Sequence, residues 1–269
     1  MDMRLDGEVA VVTGGGGVLC SAMAGALARA GARVAVLDFR EDAASAVCRR
    51  ISAEGGGALP VACDVLDRGA LETAASSIEK SLGPASILVN GAGGNRKEAT
   101  VAPQLDFFDL PADAVQWVFN LNFLGTFLPC QVFGRHMARE KRGAIVNISS
   151  MNALRPLTRI PAYSAAKAAV TNFTQWLAVH MAQNYSTSIR VNAVAPGFFL
   201  TDQNRFLLTE EGGTLTPRGK QIIEHTPLGR FGNPEDLLGA LLWLVSSQAA
   251  FVSGIVLCID GGFSAYSGV

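Results

Sequence analysis

Val9 to Cys20 reads VAVVTGGGGVLC, and an alanine-rich run follows it as far as Gly31. A short apolar run, a glycine loop and then a helical pattern is the order strand, turn, helix, the context in which glycines cradle a phosphate. Glycine permits tight turning and brings the backbone close to a pyrophosphate, whose charge a helix N-terminus favours. Gly14, Gly16, Gly17, Val18 and Leu19 are the candidate contacts. A flexible hinge has the same composition, so the loop needs support from the rest of the chain.

The first support is the alternation that follows. Apolar, β-rich runs recur at Val9–Val12, Val34–Leu37, Leu59–Cys63, Ile87–Val89, Ala144–Ile148, Ile189–Val194 and Gly254–Ile259. Helix-length segments lie between them, such as Ala22–Arg29, Ala70–Ser81, Val115–Met137, Ala165–Ala182 and Pro234–Val245. Strand and helix alternating at this spacing predict an α/β fold: a doubly wound, seven-stranded parallel sheet with helices on both faces. At 269 residues and 49% hydrophobic content, one domain over 1–269 is expected. The least regular piece, about 201–227, reads as a lid over a substrate.

Asp38 closes the second strand, 24 positions after Gly14. A carboxylate there can accept hydrogen bonds from both ribose hydroxyls of a dinucleotide and repels a 2′-phosphate, so it favours NAD over NADP. Arg40, two positions on, could instead turn towards a 2′-phosphate. Further along, IVNISS ends at Ser150 and YSAAK supplies Tyr163 and Lys167, four apart on one helix face. An ammonium near a phenol is expected to lower its pKa and make it a usable acid or base, while Ser150 hydrogen-bonds the reacting oxygen. This is an arrangement for moving a proton at a carbonyl or alcohol.

Composition excludes other classes. A net charge of -1 without a basic block gives no footprint for nucleic acid. Cys20, Cys48, Cys63, Cys130 and Cys258 are scattered, without a CxxC pair or metal-ligand spacing beside His136, His180 and His225, so no metal and reduced cytosolic thiols are expected. The start MDMRLDGE leaves no room for a signal peptide, and the apolar segment Leu237–Val245 is well short of the ~20 residues of a membrane span. A small-molecule partner and a cytoplasmic location follow as expectations. Trp117, Phe119, Phe123 and Phe127 fall at helical spacing and read as core or subunit interface.

On these motifs the chain resembles the single-domain short-chain dehydrogenase/reductases along almost its whole length, which implies a Rossmann-type fold. Ser150, Tyr163 and Lys167 have that family's spacing of 13 and then 4. The resemblance implies that Asn122, in NLNFLGTF, completes a catalytic tetrad by helping to hold a relay water beside Lys167. Asn90, Gly91 and Ala92 match a run near the adenosine, Asp64 and Val65 a pair at the adenine, and Pro196, Gly197 and Thr201 a run that positions the nicotinamide; Tyr163 and Lys167 also count among the cofactor contacts. Helices carrying Asn122 and Tyr163 pack across twofold axes in that family, implying a homodimer or homotetramer. Two positions depart from its pattern TGxxxGxG: Val18 and Cys20 replace glycines, without a deletion. Gly15, Gly16 and Gly17 are expected to supply the tight turn one residue earlier, and Cys20 to be small enough for helix and strand to approach. Gly91 also stands where the family has a second asparagine.

Substrate contacts are expected at Gly94, Asn95, Arg96, Ser150, Asn152, Arg159, Tyr163 and Arg205, with Lys97, Arg155, Gln203 and Asn204 nearby. Amides with several arginines suit a polyhydroxylated substrate carrying a carboxylate, which guanidinium binds bidentately; exposed rim charges are the plainer account of any one arginine. The runs TGGGGVL, NGAGGNRKEAT and DGGFSAYSGV are similar to the subgroup of D-mannonate oxidoreductases, or fructuronate reductases. That similarity implies NADH-dependent reduction of the C5 ketone of D-fructuronate to D-mannonate. A reductase of another polyol, keto acid or 3-oxoacyl thioester stays open, as does a cofactor-binding protein without turnover.

Overall fold

The computed structural model describes residues 3–201, 205–210 and 212–268. Seven parallel strands form one sheet in the order β3-β2-β1-β4-β5-β6-β7. They are β1 (Val9–Thr13), β2 (Arg33–Asp38), β3 (Ala58–Ala62), β4 (Ile87–Asn90), β5 (Gly143–Ile148), β6 (Ile189–Pro196) and β7 (Val256–Ile259). The helices are α1 (Val18–Arg29), α2 (Glu41–Ala53), α3 (Arg68–Leu82), α4 (Ala112–Phe119), α5 (Gly125–Glu140), α6 (Pro161–Asn184), α7 (Arg205–Leu208), α8 (Pro217–Glu224) and α9 (Leu238–Val245).

The continuous apolar strands are explained by burial on both faces. Along β1, Ala10 and Val12 point into one core, with Met23 and Leu27 of α1 and Leu241 and Leu244 of α9. Val9 and Val11 point into the other, with Leu71 and Ile78 of α3, Phe133 of α5 and Leu177 of α6. Strand order reverses between β1 and β4, and at the C-terminal end of β1 Thr13 pairs with Leu37 of β2 on one side and Asn90 of β4 on the other. Ligands of open α/β sheets sit in the crevice at such a switch point.

The segment expected as one helix over Val115–Met137 runs longer and is interrupted. Between α4 and α5, Asn120–Leu124 forms a π-turn. Its wider repeat is invisible to a 3.6-residue periodicity, and such turns concentrate at functional sites. The Asn122 side chain, fully buried, hangs from it. Among the described residues no helix is long and apolar enough to cross a membrane.

Candidate active site

At the end of β1 the glycine loop is fixed by lack of room. Gly14 is left-handed (φ +61°), and a Cβ there would stand 2.8 Å from Ala92 Cα. On Gly15 a Cβ would meet Val36 Cγ1 at 2.6 Å, and on Gly16 it would meet Ala43 Cβ at 2.6 Å. Gly15 to Gly17 make the turn as expected, together with Gly14: Gly14 takes the left-handed position, and Gly17 N–H closes the turn onto Gly14 O at 3.1 Å. Gly17 caps α1 in extended conformation, with no side-chain cap and no acid in the first turn. The helix start carrying Val18 and Leu19 is thus left to an anion. Beside it, Asp38 Oδ2 accepts Gly16 N–H at 2.9 Å and Oδ1 accepts Arg40 N–H at 3.0 Å, which fixes the carboxylate against the loop.

The two departures at Cys20 and Gly91 turn out to be one. A Cβ on Gly91 would lie 2.1 Å from Cys20 Sγ, an impossible contact. The sulfur fills the volume that a side chain at 91 would occupy, so Cys20 fits because Gly91 has none, not because cysteine is small in itself. Gly91 and Ala92 remain in place because Thr13 Oγ1 accepts both of their N–H groups, at 3.1 and 3.2 Å.

Asn90 does not present its side chain to a crevice. It is 1% exposed, and its Nδ2 donates to Asn147 Oδ1 at 2.8 Å and towards Cys130 Sγ at 3.1 Å. Asn147 in turn donates to Thr174 Oγ1 at 2.9 Å, so a buried polar strut links β4, β5 and α6. Any contact of Asn90 with a cofactor is left to its backbone. Asp64, exposed beyond β3, accepts Leu66 N–H, while Val65 is buried against Gly125. At the end of β6, Gly197 N–H donates to Ile259 O at 2.9 Å, and a Cβ there would strike Asp260. Pro196 is buried just before it, and Thr201 O accepts Arg205 N–H.

Ser150, at the end of β5, accepts Asn152 N–H and hydrogen-bonds the Tyr163 phenol. Tyr163 and Lys167 stand in the first two turns of α6, which begins with Pro161 at its first position. Lys167 is 4% exposed, donates to Ile148 O at 2.7 Å and lies 5.6 Å from the Tyr163 ring centroid. Burial holds its ammonium down to about 8. The expected lowering of the Tyr163 pKa by Lys167 is not what this geometry gives. Burial raises the phenol, and the Ser150 hydrogen bond only offsets part of that rise. Asn122 clips the neighbouring loop: its Nδ2 donates to Gly94 O at 2.7 Å and to Val118 O at 2.8 Å, and its Oδ1 accepts Gly94 N–H at 3.2 Å. A Cβ on Gly93 would lie 2.6 Å from Asn122 Oδ1 and 3.4 Å from Lys167 Nζ, so glycine there lets the two approach.

The expected substrate residues divide. Asn95 donates to Thr100 Oγ1 at 2.9 Å. Arg96 is stacked on Trp117 at 4.3 Å and paired with Glu98 at 3.4 Å, so its charge already has partners. Arg155 Nε donates to Ser264 O at 3.2 Å. Asn152 is 6% exposed and leaves its Oδ1 without a partner among the described residues, beside Ser150. Arg159 lies four residues before Tyr163, its carbonyl accepting Val101 N–H at 2.9 Å. Arg205 opens α7; Gln203 and Asn204 lie outside the described residues. Arg218, on α8, was not singled out in the sequence because it stands alone in a polar stretch. It is half-buried, and its pKa is lowered first by burial and then by the charge of Arg159.

A crevice with a fixed phosphate turn, a strand-end carboxylate and a hydroxyl, phenol and ammonium at the next strand end has room for a nicotinamide dinucleotide: side chains on the glycines would fill the cradle. Comparison with known proteins agrees. A family profile described as enoyl-(acyl carrier protein) reductase matches residues 18–264. The chain is 51% identical to an uncharacterised oxidoreductase, UxuB, of Bacillus subtilis (strain 168), over 99% of this chain and 98% of that protein. It is 34% identical to the D-threitol dehydrogenase of Mycolicibacterium smegmatis, over 98% and 95% of the two chains. A Haemophilus influenzae crystal structure with bound NAD, provisionally described as a D-mannonate oxidoreductase, superposes with a TM-score of 0.93 at 46% identity, over 99% and 98% of the chains. A gluconate 5-dehydrogenase from Burkholderia cenocepacia, in complex with NADP and tartrate, superposes at 0.86 with 32% identity, over 98% of each chain. This chain belongs to the short-chain dehydrogenase/reductase family. It is a nicotinamide-dependent oxidoreductase acting on CH–OH groups.

Proposed function

We propose that the chain interconverts D-fructuronate and D-mannonate with NAD(H). The observation that carries the reaction type is the hydrogen-bonded pair Ser150–Tyr163 beside buried Lys167, at the strand ends next to the glycine loop. When bound, the nicotinamide supplies hydride to the ketone or takes it from the alcohol. Ser150 orients the carbonyl oxygen, and Tyr163 gives that oxygen its proton. Because burial raises the phenol's pKa, Tyr163 is protonated at neutral pH, the state that ketone reduction requires. Lys167 holds the cofactor's ribose and the site's positive charge, and Asn122 fixes Gly94 at the mouth.

NAD is favoured over NADP by the fixed carboxylate of Asp38, which repels a 2′-phosphate. Gly14, Gly16, Gly17, Val18 and Leu19 receive the pyrophosphate, Asp64, Val65 and the Asn90–Ala92 backbone the adenosine side, and Pro196, Gly197 and Thr201 the nicotinamide. Support for the sugar acid comes from the Haemophilus influenzae relative and from the amide and guanidinium groups around Ser150. One domain over 1–269 carries this site, with about 201–227 as its cover. The exposed Trp176, within a ring ladder that runs from Phe123 through Phe127 and Phe173 and on to His180 and Tyr185, supports pairing of α5 and α6 with a second copy, as a dimer or tetramer in the cytoplasm.

The test is loss of NADH absorbance with D-fructuronate, beside a panel holding 5-ketogluconate, a ketotetrose and a 3-oxoacyl thioester. Turnover that prefers D-fructuronate and falls on the order of 10²-fold or more in Tyr163→Phe supports the reading. Preference for another ketone overturns the substrate, and undiminished activity in Tyr163→Phe overturns the chemistry.

A further inference from the structure

Ser150 ends β5 and caps a short 3₁₀ turn, Met151–Ala153, which packs against α6, the helix that carries Tyr163. The turn folds back on the serine: Asn152 N–H donates to Ser150 Oγ at 3.2 Å, while the same serine hydrogen-bonds the Tyr163 phenol. One N–Cα bond further on, the Asn152 side chain is rooted within about 5 Å of Ser150 Oγ.

Asn152 is 6% exposed, yet its carboxamide makes no hydrogen bond among the described residues. The other buried asparagines are all engaged through theirs. Asn90 donates to Asn147, Asn147 to Thr174 Oγ1, and Asn122 to Gly94 O and Val118 O. Asn192 donates to Val252 O and accepts Ile255 N–H. A buried polar group without a partner costs stability, and few proteins keep one without use for it. Because neither end of the Asn152 amide is bonded, the point holds whichever way the amide is turned. Two further buried side-chain atoms lack partners among the described residues: Asn90 Oδ1, whose amide is fixed by its Nδ2, and Ser164 Oγ, next to Tyr163. The opposite flank of Tyr163 is apolar, a cluster of Ala99, Ala114, Val118 and Ala162 with Val115 packed on it. Those side chains offer a substrate hydroxyl nothing to bond. Of the amides and guanidiniums near the mouth, Asn95 is tied to Thr100 and Arg96 to Trp117 and Glu98.

We infer that the Asn152 carboxamide bonds the hydroxyl on the carbon next to the reacting ketone, and so commits the enzyme to hydroxyketones. This deepens the proposed function and rests on its Ser150–Tyr163 chemistry, but not on D-fructuronate as the substrate. With the ketone oxygen on Ser150 and Tyr163, a hydroxyl one carbon away is satisfied on the Asn152 side and left unpaired against the apolar cluster. A site built to hold a hydroxyl rejects the analogue that lacks it, because its own polar group is then stranded. D-Fructuronate carries such a hydroxyl on each side of its C5 ketone; a 3-oxoacyl thioester carries none.

The experiment compares hydroxyacetone with acetone, which differ by one hydroxyl, as substrates with NADH, beside D-fructuronate. Parent enzyme, the nearly isosteric Asn152→Leu, Asn152→Ser and the distant control Arg68→Ala are measured, with NADH affinity and urea unfolding as checks on the fold. The readout is the ratio of kcat/KM for hydroxyacetone over acetone; its change between proteins cancels the intrinsic reactivity of the ketones. The expected result is a ratio lowered on the order of tenfold to hundredfold in Asn152→Leu, recovered in part by the hydroxyl of Asn152→Ser and kept by Arg68→Ala. Asn152→Leu also keeps or raises the urea midpoint, since it removes an unpaired buried amide. A ratio unchanged in Asn152→Leu, or a parent that prefers acetone, overturns the inference. A lowered midpoint with an unchanged ratio overturns it too, as the mark of a carboxamide that serves the fold by holding a resident water. If D-fructuronate is ignored but Asn152→Leu abolishes the preference for hydroxyacetone, the inference stands and the proposed substrate falls. If D-fructuronate is reduced and the ratio is indifferent to Asn152, the substrate stands and the inference falls. Failure to reduce any hydroxyketone overturns both.

Discussion

Restoring a side chain at Gly91 should be tolerated only if Cys20 gives up its sulfur. In Gly91→Ala the new methyl would lie 2.1 Å from Cys20 Sγ and 3.0 Å from Thr13 O, in a wall of buried backbone that cannot retreat far. Overpacking of this kind costs about 1–3 kcal/mol, and so deep an overlap belongs at the upper end. Cys20→Gly costs about 1 kcal/mol for glycine inside α1. Losing the buried CH₂ and sulfur adds roughly 1–2 kcal/mol. Independent changes would sum to about 5–6 kcal/mol, but in the double variant the methyl enters the volume the sulfur leaves, so a loss of about 2–3 kcal/mol is expected. The coupling is therefore about 3 kcal/mol, read by urea unfolding of the four proteins with a common m-value. NADH titration gives the functional counterpart: the double variant binds cofactor better than Gly91→Ala alone. Additive losses within about 0.5 kcal/mol would refute the reasoning, because two residues sharing one volume cannot be independent.

Lys167 carries an ammonium pKa of about 8 in the folded protein against an ordinary 10.5. Between those values the unfolded chain binds more protons, so stability rises with pH across that window, while below about pH 8 the whole penalty is present. Lys167→Met should remove that slope, worth roughly 3 kcal/mol over the window, and a stability difference between parent and variant that is flat with pH would count against it. Burial pushes the thiols of Cys20 and Cys130 up to about 12 and those of Cys48 and Cys63 up to about 11. A disulfide reagent at pH 8 should therefore label partly exposed Cys258 first and the other four only on unfolding; rapid labelling of several thiols in the native protein would contradict this. Asp38→Asn should cut the proposed preference for NADH over NADPH by about tenfold or more by removing a charge that repels a 2′-phosphate. An unchanged ratio in paired Kd measurements would show that Asp38 does not set the preference.

The sheet was legible because its five inner strands are covered on both faces and announce themselves as apolar runs, while the less buried edge strands β3 and β7 shift by only one or two residues from their expected bounds. The helix α2 was not named among the expected segments, although Ala44, Val47, Cys48 and Ile51 have the spacing of an amphipathic helix. The grouping of side chains was legible where residues lie close in sequence, as in Ser150, Tyr163 and Lys167. It was not where geometry joins distant positions. Cys20 and Gly91 each read as a departure, 71 residues apart, and only their shared volume makes them one change. Asn90 matched a cofactor run, but its amide belongs to the buried strut.

The Asn90–Asn147–Thr174 strut has a consequence for how such an enzyme can change over generations. It ties β4, β5 and α6 together underneath Ser150, Tyr163 and Lys167, so a mutation there would disturb proton transfer and stability at once. The loop between Ser150 and α6 and the short helix α8, by contrast, lie outside the strut, so residues there can be exchanged without that double cost.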